Sequence, residues 1–130
     1  MTLPQGRAYG VFAGNVAFQP GDYFVESAQT LAANTTVTQA AGTPINAQLV
    51  NVTSTAAGAV TLPASAPGLS ITVHNISASN VSVFPNAQGT TTETINALSA
   101  NAAIVMATNT STTFTCVVAG QWYTVPRVPS

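Results

Sequence analysis

The chain has 130 residues, and its charged side chains are two Arg and three Asp or Glu, which gives a formal net charge of −1. An ordinary globular domain carries about 25% charged residues, whereas this chain has 4% and a hydrophobic fraction of 46%. Two isolated arginines cannot form the basic cluster that nucleic acids or anionic membranes require, and the hydrophobicity is too high for a disordered chain. We therefore expect one folded domain whose polar surface consists of Ser, Thr, Asn and Gln.

A surface of this kind is solvated but carries almost no repulsive charge. A free monomer would therefore have weak protection against association. The composition favours a protein whose surface is covered by copies of itself or by a larger assembly, with a neutral domain that is soluble through its hydroxyl groups as the alternative. The longest apolar run, residues 102–107, is too short to span a bilayer.

Residues 1–30 differ in composition from the remainder. They contain three of the five charged residues, and glycines and prolines interrupt every longer regular pattern. We predict an extended N-terminal arm over residues 1–30, followed by a folded domain over residues 31–130. Aromatic side chains on such an arm can anchor it in pockets of a neighbouring molecule; alternatively, the arm folds back and completes the core of its own domain. The predicted anchors are Tyr9, Phe12, Phe18, Tyr23 and Phe24.

The rest of the chain alternates apolar and polar residues, which is typical of half-buried strands. Leu69, Ile71 and Val73 alternate with polar residues before a short gap, and Val81 and Val83 do so after it, so residues 69–85 predict a hairpin. The other predicted strands cover residues 34–39, 46–54, 59–62, 93–98, 102–107, 112–119 and 121–125.

Eight or nine short strands at this spacing predict an all-β fold. The expected architecture is a jelly-roll-like or Greek-key antiparallel β-sandwich with an extended N-terminal arm. An immunoglobulin-like topology is the alternative, although the Cys and Trp spacing of that domain is absent. Residues 97–107 are ambiguous, since their apolar residues also fit one face of a helix.

The residues capable of catalysis or metal binding are few and scattered. His74 is the one histidine and has no Cys, Asp or Glu beside it in sequence, which predicts a polar group on a sheet face or at a subunit contact instead of a zinc ligand. Asp22 and Glu26 fall short of a calcium loop, and Glu93 is the other acid available for acid–base chemistry. Cys116 alternates in phase with apolar neighbours and predicts a small core residue. We expect no enzyme activity, no cofactor and no metal.

Two adjacent aromatic residues, Trp122 and Tyr123, lie near the C-terminus. Neighbouring residues of a strand point to opposite faces. One of the two rings is therefore expected in the core and the other at the surface, where it could stack against a sugar.

The C-terminal half of the chain contains five short segments, mainly of turn and core residues: Thr-Leu-Pro at 61–63, Gly-x-x-Ile-x-Val-x-Asn at 68–75, Val-x-Val-x-Pro at 81–85, Thr-Ile-Asn at 94–96 and Gly-Gln-Trp-Tyr at 120–123. With these segments the chain resembles small β-rich bacteriophage virion proteins, particularly capsid decoration (cement) proteins and the globular ends of head or tail fibres. No binding residue is transferred from the family.

The resemblance implies a homotrimeric structural protein on the outer surface of a phage capsid. Such a protein would contact the major capsid protein and copies of itself, and would stabilise the head by bridging capsomers. The alternative is a receptor- or carbohydrate-binding tip of a phage tail or fibre, whose partner would be a host surface glycan.

Overall fold

The computed structural model describes residues 26–86 and 92–126, and these ranges contain ten β-strands and no helix. The prediction of an all-β fold is confirmed. The strands are β1 (Ala28–Ala32), β2 (Thr43–Pro44), β3 (Leu49–Thr53), β4 (Gly58–Thr61), β5 (Ser70–Asn75), β6 (Val81–Phe84), β7 (Thr94–Ile95), β8 (Ile104–Met106), β9 (Thr110–Val118) and β10 (Gln121–Val125).

The first six strands wind as three stacked coils. In each coil the chain passes from a six-stranded sheet to a four-stranded sheet and then returns one level further along. Strands β1, β3 and β5 are parallel neighbours in the first sheet, and β2, β4 and β6 are parallel neighbours in the second. This is the strand arrangement of a short β-solenoid.

The predicted jelly-roll-like or Greek-key antiparallel topology is therefore wrong, and so is the predicted hairpin over residues 69–85. Strands β5 and β6 follow each other in sequence but belong to different sheets. The alternation of apolar and polar residues shows which face of a strand is buried, but it is the same for a hairpin and for a coil that changes sheet. The alternation of apolar and polar residues in a strand therefore does not reveal which other strands pair with it.

The C-terminal strands close one end of the solenoid with antiparallel pairing. Strand β8 pairs with β6 in the four-stranded sheet, while β9 pairs with β5 and β10 in the six-stranded sheet. The short strand β7 lies parallel to β10 at the sheet edge. At the opposite end, β1 and β2 have a strand neighbour on one side only among the described strands.

The core lies between the two sheets and consists mainly of β-branched residues. Coil stacking places like side chains over one another, for example Val50 beside Val73 and Val60 beside Val83. All four are completely buried. The largest buried side chains are the rings of Phe114 and Trp122, so the antiparallel end supplies the bulk of the aromatic core.

Two predicted strands differ from the observed ones for local reasons. Residues 34–39 form bends and turns, and Asn34 makes an isolated bridge to Ala59. The strand predicted over residues 93–98 is reduced to β7, because Asn96 has a φ of 55° and turns the chain out of the sheet. The stretch at 97–107 that also fitted a helix contains β8 instead.

Replacement of a core ring should test the observed packing. Phe114 is completely buried and Val117 in the same strand is 69% exposed. We expect Phe114→Ala to lower the free energy of unfolding by about 3–5 kcal/mol and Val117→Ala to change it by less than about 0.5 kcal/mol. Urea titrations followed by Trp fluorescence measure both, and equal effects would contradict the assigned faces of β9.

Candidate functional site

The predicted anchors of the N-terminal arm, Tyr9, Phe12, Phe18, Tyr23 and Phe24, lie outside the described residues. The described part of the chain begins at Glu26, and β1 begins at Ala28. Strand β1 pairs with β3 along its full length. Residues 28–30, at the end of the predicted arm, are thus part of the six-stranded sheet.

Uncharged polar side chains lie side by side on β5 and β9 on the outer face of the six-stranded sheet. The Oγ1 atoms of Thr72 and Thr113 are 2.9 Å apart across β5 and β9. One pair further along, His74 Nδ1 lies 2.6 Å from Ser111 Oγ. His74 therefore occupies the position predicted for it, a polar group on a sheet face.

Shallow grooves flank His74 on this face. One runs towards β1 and is bordered by Thr30 and Asn51; the other runs towards the β8–β9 turn and is bordered by Asn109 and Ser111. Both offer hydrogen-bond donors and acceptors without a formal charge. No group of three His, Cys, Asp or Glu side chains able to hold a metal ion occurs within residues 26–86 and 92–126.

Large apolar side chains are exposed around the body of the domain. Each of them has more than two fifths of its surface open to solvent, and most are valines on strands or at strand ends. They are Val37, Ile76, Val105, Val117, Val118 and Val125. Val117 and Val118 adjoin the turn between β9 and β10, so two exposed valines lie next to each other at this turn.

Glu93 is buried inside the closed end of the solenoid, with 3% of its surface exposed. Its Oε1 accepts a hydrogen bond from the backbone N–H of Ser65 at 2.9 Å, and its Oε2 accepts one from Trp122 Nε1 at 3.0 Å. The backbone N–H of Asn86 is 3.4 Å from Oε2. The carboxyl group of Glu93 thus links the segments that contain Ser65, Asn86 and Trp122. The sequence around Glu93 does not indicate this structural role.

Asn75 forms a second buried polar junction. Its Nδ2 donates to the carbonyl oxygens of Ser79, Met106 and Ala107, at 2.8, 3.2 and 3.0 Å. Its Oδ1 accepts from the hydroxyl of Ser77 at 2.6 Å. Sequence reasoning missed this role, although Asn75 follows Ile71 and Val73 on the otherwise apolar inward face of β5, which was a signal for it.

Cys116 is buried and unpaired, which confirms its prediction as a small core residue. Burial raises the pKa of the Cys116 thiol above its ordinary value, and the charge of the nearby Glu93 raises it further. A raised pKa keeps the sulfur in its thiol form, which is the unreactive form. Trp122 is buried beside it and Tyr123 is half-buried on the opposite face of β10, as the alternation predicted.

Comparison with known protein families, with curated proteins and with solved structures returned no significant match. Within the described residues, no helix is long and apolar enough to cross a membrane.

Removal of the Glu93 carboxyl group should destabilise the domain. Glu93→Ala leaves the partly buried N–H group of Ser65 and the buried N–H group of Trp122 without their acceptor, and we expect a loss of about 2–4 kcal/mol in the free energy of unfolding. The matched control is Glu26→Ala at an exposed carboxylate, for which we expect less than about 0.5 kcal/mol. Equal losses in urea titrations would show that the junction does not stabilise the fold.

Stability should also fall at alkaline pH because of Cys116. Its pKa is raised in the folded state, so its contribution is fully present below the unfolded-state pKa of about 8.5 and is lost as the pH rises through the folded-state pKa. Urea midpoints measured between about pH 7 and 9.5 should decline above about pH 8.5. The decline should be smaller in Cys116→Ala; an identical decline in both proteins would assign it to other groups.

Proposed function

We propose that this protein is a non-enzymatic structural virion protein, a phage capsid decoration protein that binds the outside of the head as a homotrimer. The observation that carries the proposal is the nature of its surface. Among the described residues, Glu26 is the one exposed side chain with a formal charge, because Glu93 is buried. The same surface exposes six large apolar side chains.

A surface of this composition favours burial against other subunits. Removing an ionised group from water is costly unless the group is paired, whereas hydroxyl and amide groups need only a hydrogen-bond partner. Burial of the exposed valines contributes about 25 cal/mol per Å² of apolar area removed from water. Burying this protein's surface against capsid subunits or other protomers would therefore cost little desolvation free energy of charged groups.

The proposed action on the head requires no chemistry. A protein that binds the assembled shell and not its separated subunits stabilises the shell by mass action. The solenoid would serve as a rigid body that spans neighbouring capsomers, and the aromatic residues of the N-terminal arm would anchor it in pockets of the major capsid protein. The resemblance to decoration proteins in residues 60–123 supports the same role.

A second candidate function is a receptor- or carbohydrate-binding tip of a tail or fibre. The observation that favours it is the outer face of the six-stranded sheet, where grooves lined by uncharged side chains flank His74 and Tyr123 is partly exposed. Sugars are recognised by uncharged hydrogen-bonding groups together with an aromatic ring of this kind. Under this alternative the same face would contact a host surface glycan.

Reconstitution on phage heads that lack the protein separates the two functions. We expect the purified protein to bind such heads in hundreds of copies and to raise their resistance to heat. A variant with Tyr9→Ala, Phe12→Ala and Phe18→Ala should bind at least about 100-fold more weakly, because interface anchors of this kind each contribute up to several kcal/mol. Sedimentation of heads with labelled protein measures the bound copies.

The matched control is Tyr123→Ala, which should leave head binding unchanged. Binding of the free protein to host surface polysaccharide, lost in Tyr123→Ala, would favour the fibre-tip function instead. Absence of head binding by the unaltered protein, or a virion content of tens of copies and not hundreds, would contradict the decoration role.

A further inference from the structure

The six-stranded sheet ends on one side in β1, an edge strand without the features that usually prevent edge pairing. The other edge strands described, β2, β7 and β8, have two, two and three residues. Strand β1 has five residues and pairs with β3 along its whole length. Proteins commonly protect a sheet edge with a charged side chain, a proline or a bulge. Residues Ala28–Ala32 contain none of these.

Alternate residues of β1 point their backbone groups away from the sheet. The carbonyl oxygen of Ser27 accepts a hydrogen bond from Leu49 N–H at 2.9 Å, and Ala33 N–H donates to the carbonyl oxygen of Thr53 at 2.8 Å. Backbone groups of successive strand residues face opposite sides, so every second residue between Ser27 and Ala33 faces away from β3. The side chains of these residues are also exposed, and no described strand lies beyond them: Ala28, Thr30 and Ala32.

The pattern of β1 fits a symmetric antiparallel pairing centred on Thr30. In this arrangement Thr30 lies opposite Thr30 of a second copy, and Ala28 lies opposite Ala32 of that copy. All three outward-facing residues then belong to hydrogen-bonded pairs, which gives about six backbone hydrogen bonds across the contact. On the inner face, Leu31 packs against the core. Its counterpart in the second copy comes within reach diagonally, so the pairing also extends the core.

The charge distribution is compatible with this pairing. Glu26 lies two residues before β1 and is exposed. In the pairing centred on Thr30 it would lie opposite Asn34 of the second copy, which is neutral. The two Glu26 carboxylates are then separated by roughly 27 Å along the strand, which is several times the Debye length of about 8 Å. No like charges oppose each other across the contact.

The sequence directly upstream of β1 supplies a less suitable strand. It contains Pro20, Gly21 and Asp22, and all three residue types are depleted in β-strands. Proline also lacks the N–H group that an added strand must contribute. Strand β1 of a second copy already has the extended conformation and offers a donor and an acceptor at each outward-facing residue. The second copy is therefore the better-suited partner.

We propose that the edge of β1 pairs with the same edge of a second copy, antiparallel and centred on Thr30. The contact is isologous, since each copy contributes the same surface, and it closes after two protomers. It joins two six-stranded sheets into one continuous sheet. Together with the proposed threefold contact on another surface, it would join two trimers. The inference rests on the geometry of β1 and not on the proposed function.

A charge at the centre of the contact tests the pairing in the full-length protein. Thr30→Lys would place two ammonium groups opposite each other. We expect the molar mass of the assembly in sedimentation equilibrium to fall by about half, because a twofold contact is lost. The matched control is Asn51→Lys, since Asn51 lies beside Thr30 in the register and is also exposed, but belongs to the interior strand β3.

The control variant should keep the mass of the unaltered protein. Equal masses for the two variants, or an unaltered protein with an odd number of protomers, would overturn the inference. A lower melting temperature of Thr30→Lys without a change in mass would also overturn it, because the edge would then be covered by the same chain.

Disulfide formation tests the register of the pairing. Hydrogen-bonded antiparallel partners have Cα atoms about 5.5 Å apart, which a disulfide can bridge. We expect Thr30→Cys to form a disulfide-linked dimer at least about ten-fold faster than Ala28→Cys, whose two copies of residue 28 would lie about 14 Å apart. A mixture of Ala28→Cys and Ala32→Cys should cross-link as Thr30→Cys does. The native thiol, Cys116, is buried and provides the unreactive background. Equal rates for Thr30→Cys and Ala28→Cys alone would overturn the register.

Discussion

The stacking of apolar side chains from one coil onto the next is the interaction on which the rest of the structure depends. A single coil presents a narrow row of inward-facing residues and cannot bury them alone, so it acquires a core only when a neighbouring coil lies against it. Val50 on Val73 and Val60 on Val83 show this arrangement in the two sheets. The parallel register follows from it, since a slip of one residue would turn these side chains towards solvent.

Buried polar groups adjust this apolar stack at the places where the chain leaves the coil pattern. Asn75 binds carbonyl groups where β5 ends and where β8 ends, and Glu93 joins the segment before β7 to β10. Each satisfies backbone or indole groups that would otherwise be buried without a partner. The described residues contain no buried side-chain nitrogen or oxygen atom without a hydrogen bond. The buried polar side chains of the described domain are therefore all hydrogen-bonded, and the low number of charged residues mainly affects the surface.

The sequence supports the local structure more firmly than the topology. Alternation correctly predicted strands around Val50, Val73, Val83 and Phe114 and the faces they bury, because side-chain direction depends on neighbouring residues alone. It did not predict parallel pairing, which depends on contacts between residues about 20 positions apart. It missed β1, whose residues Ala28–Ala32 include small and polar types and gain their order from pairing with β3. For the candidate site, the sequence was enough to place Val117 and His74 on strands. The hydrogen bonds that Asn75 and Glu93 form between distant segments became evident only in the tertiary structure.

The coil construction also bears on how the length of such a protein can change. Each coil contacts only the coils above and below it, and its strands add about 4.8 Å to the stack. Duplication of one segment of the kind that joins Leu49 to Thr72 would lengthen the molecule by one such step and leave both terminal structures unchanged. Gene duplications of single coils could thus change the length of the solenoid in regular steps without altering the surfaces at its two ends.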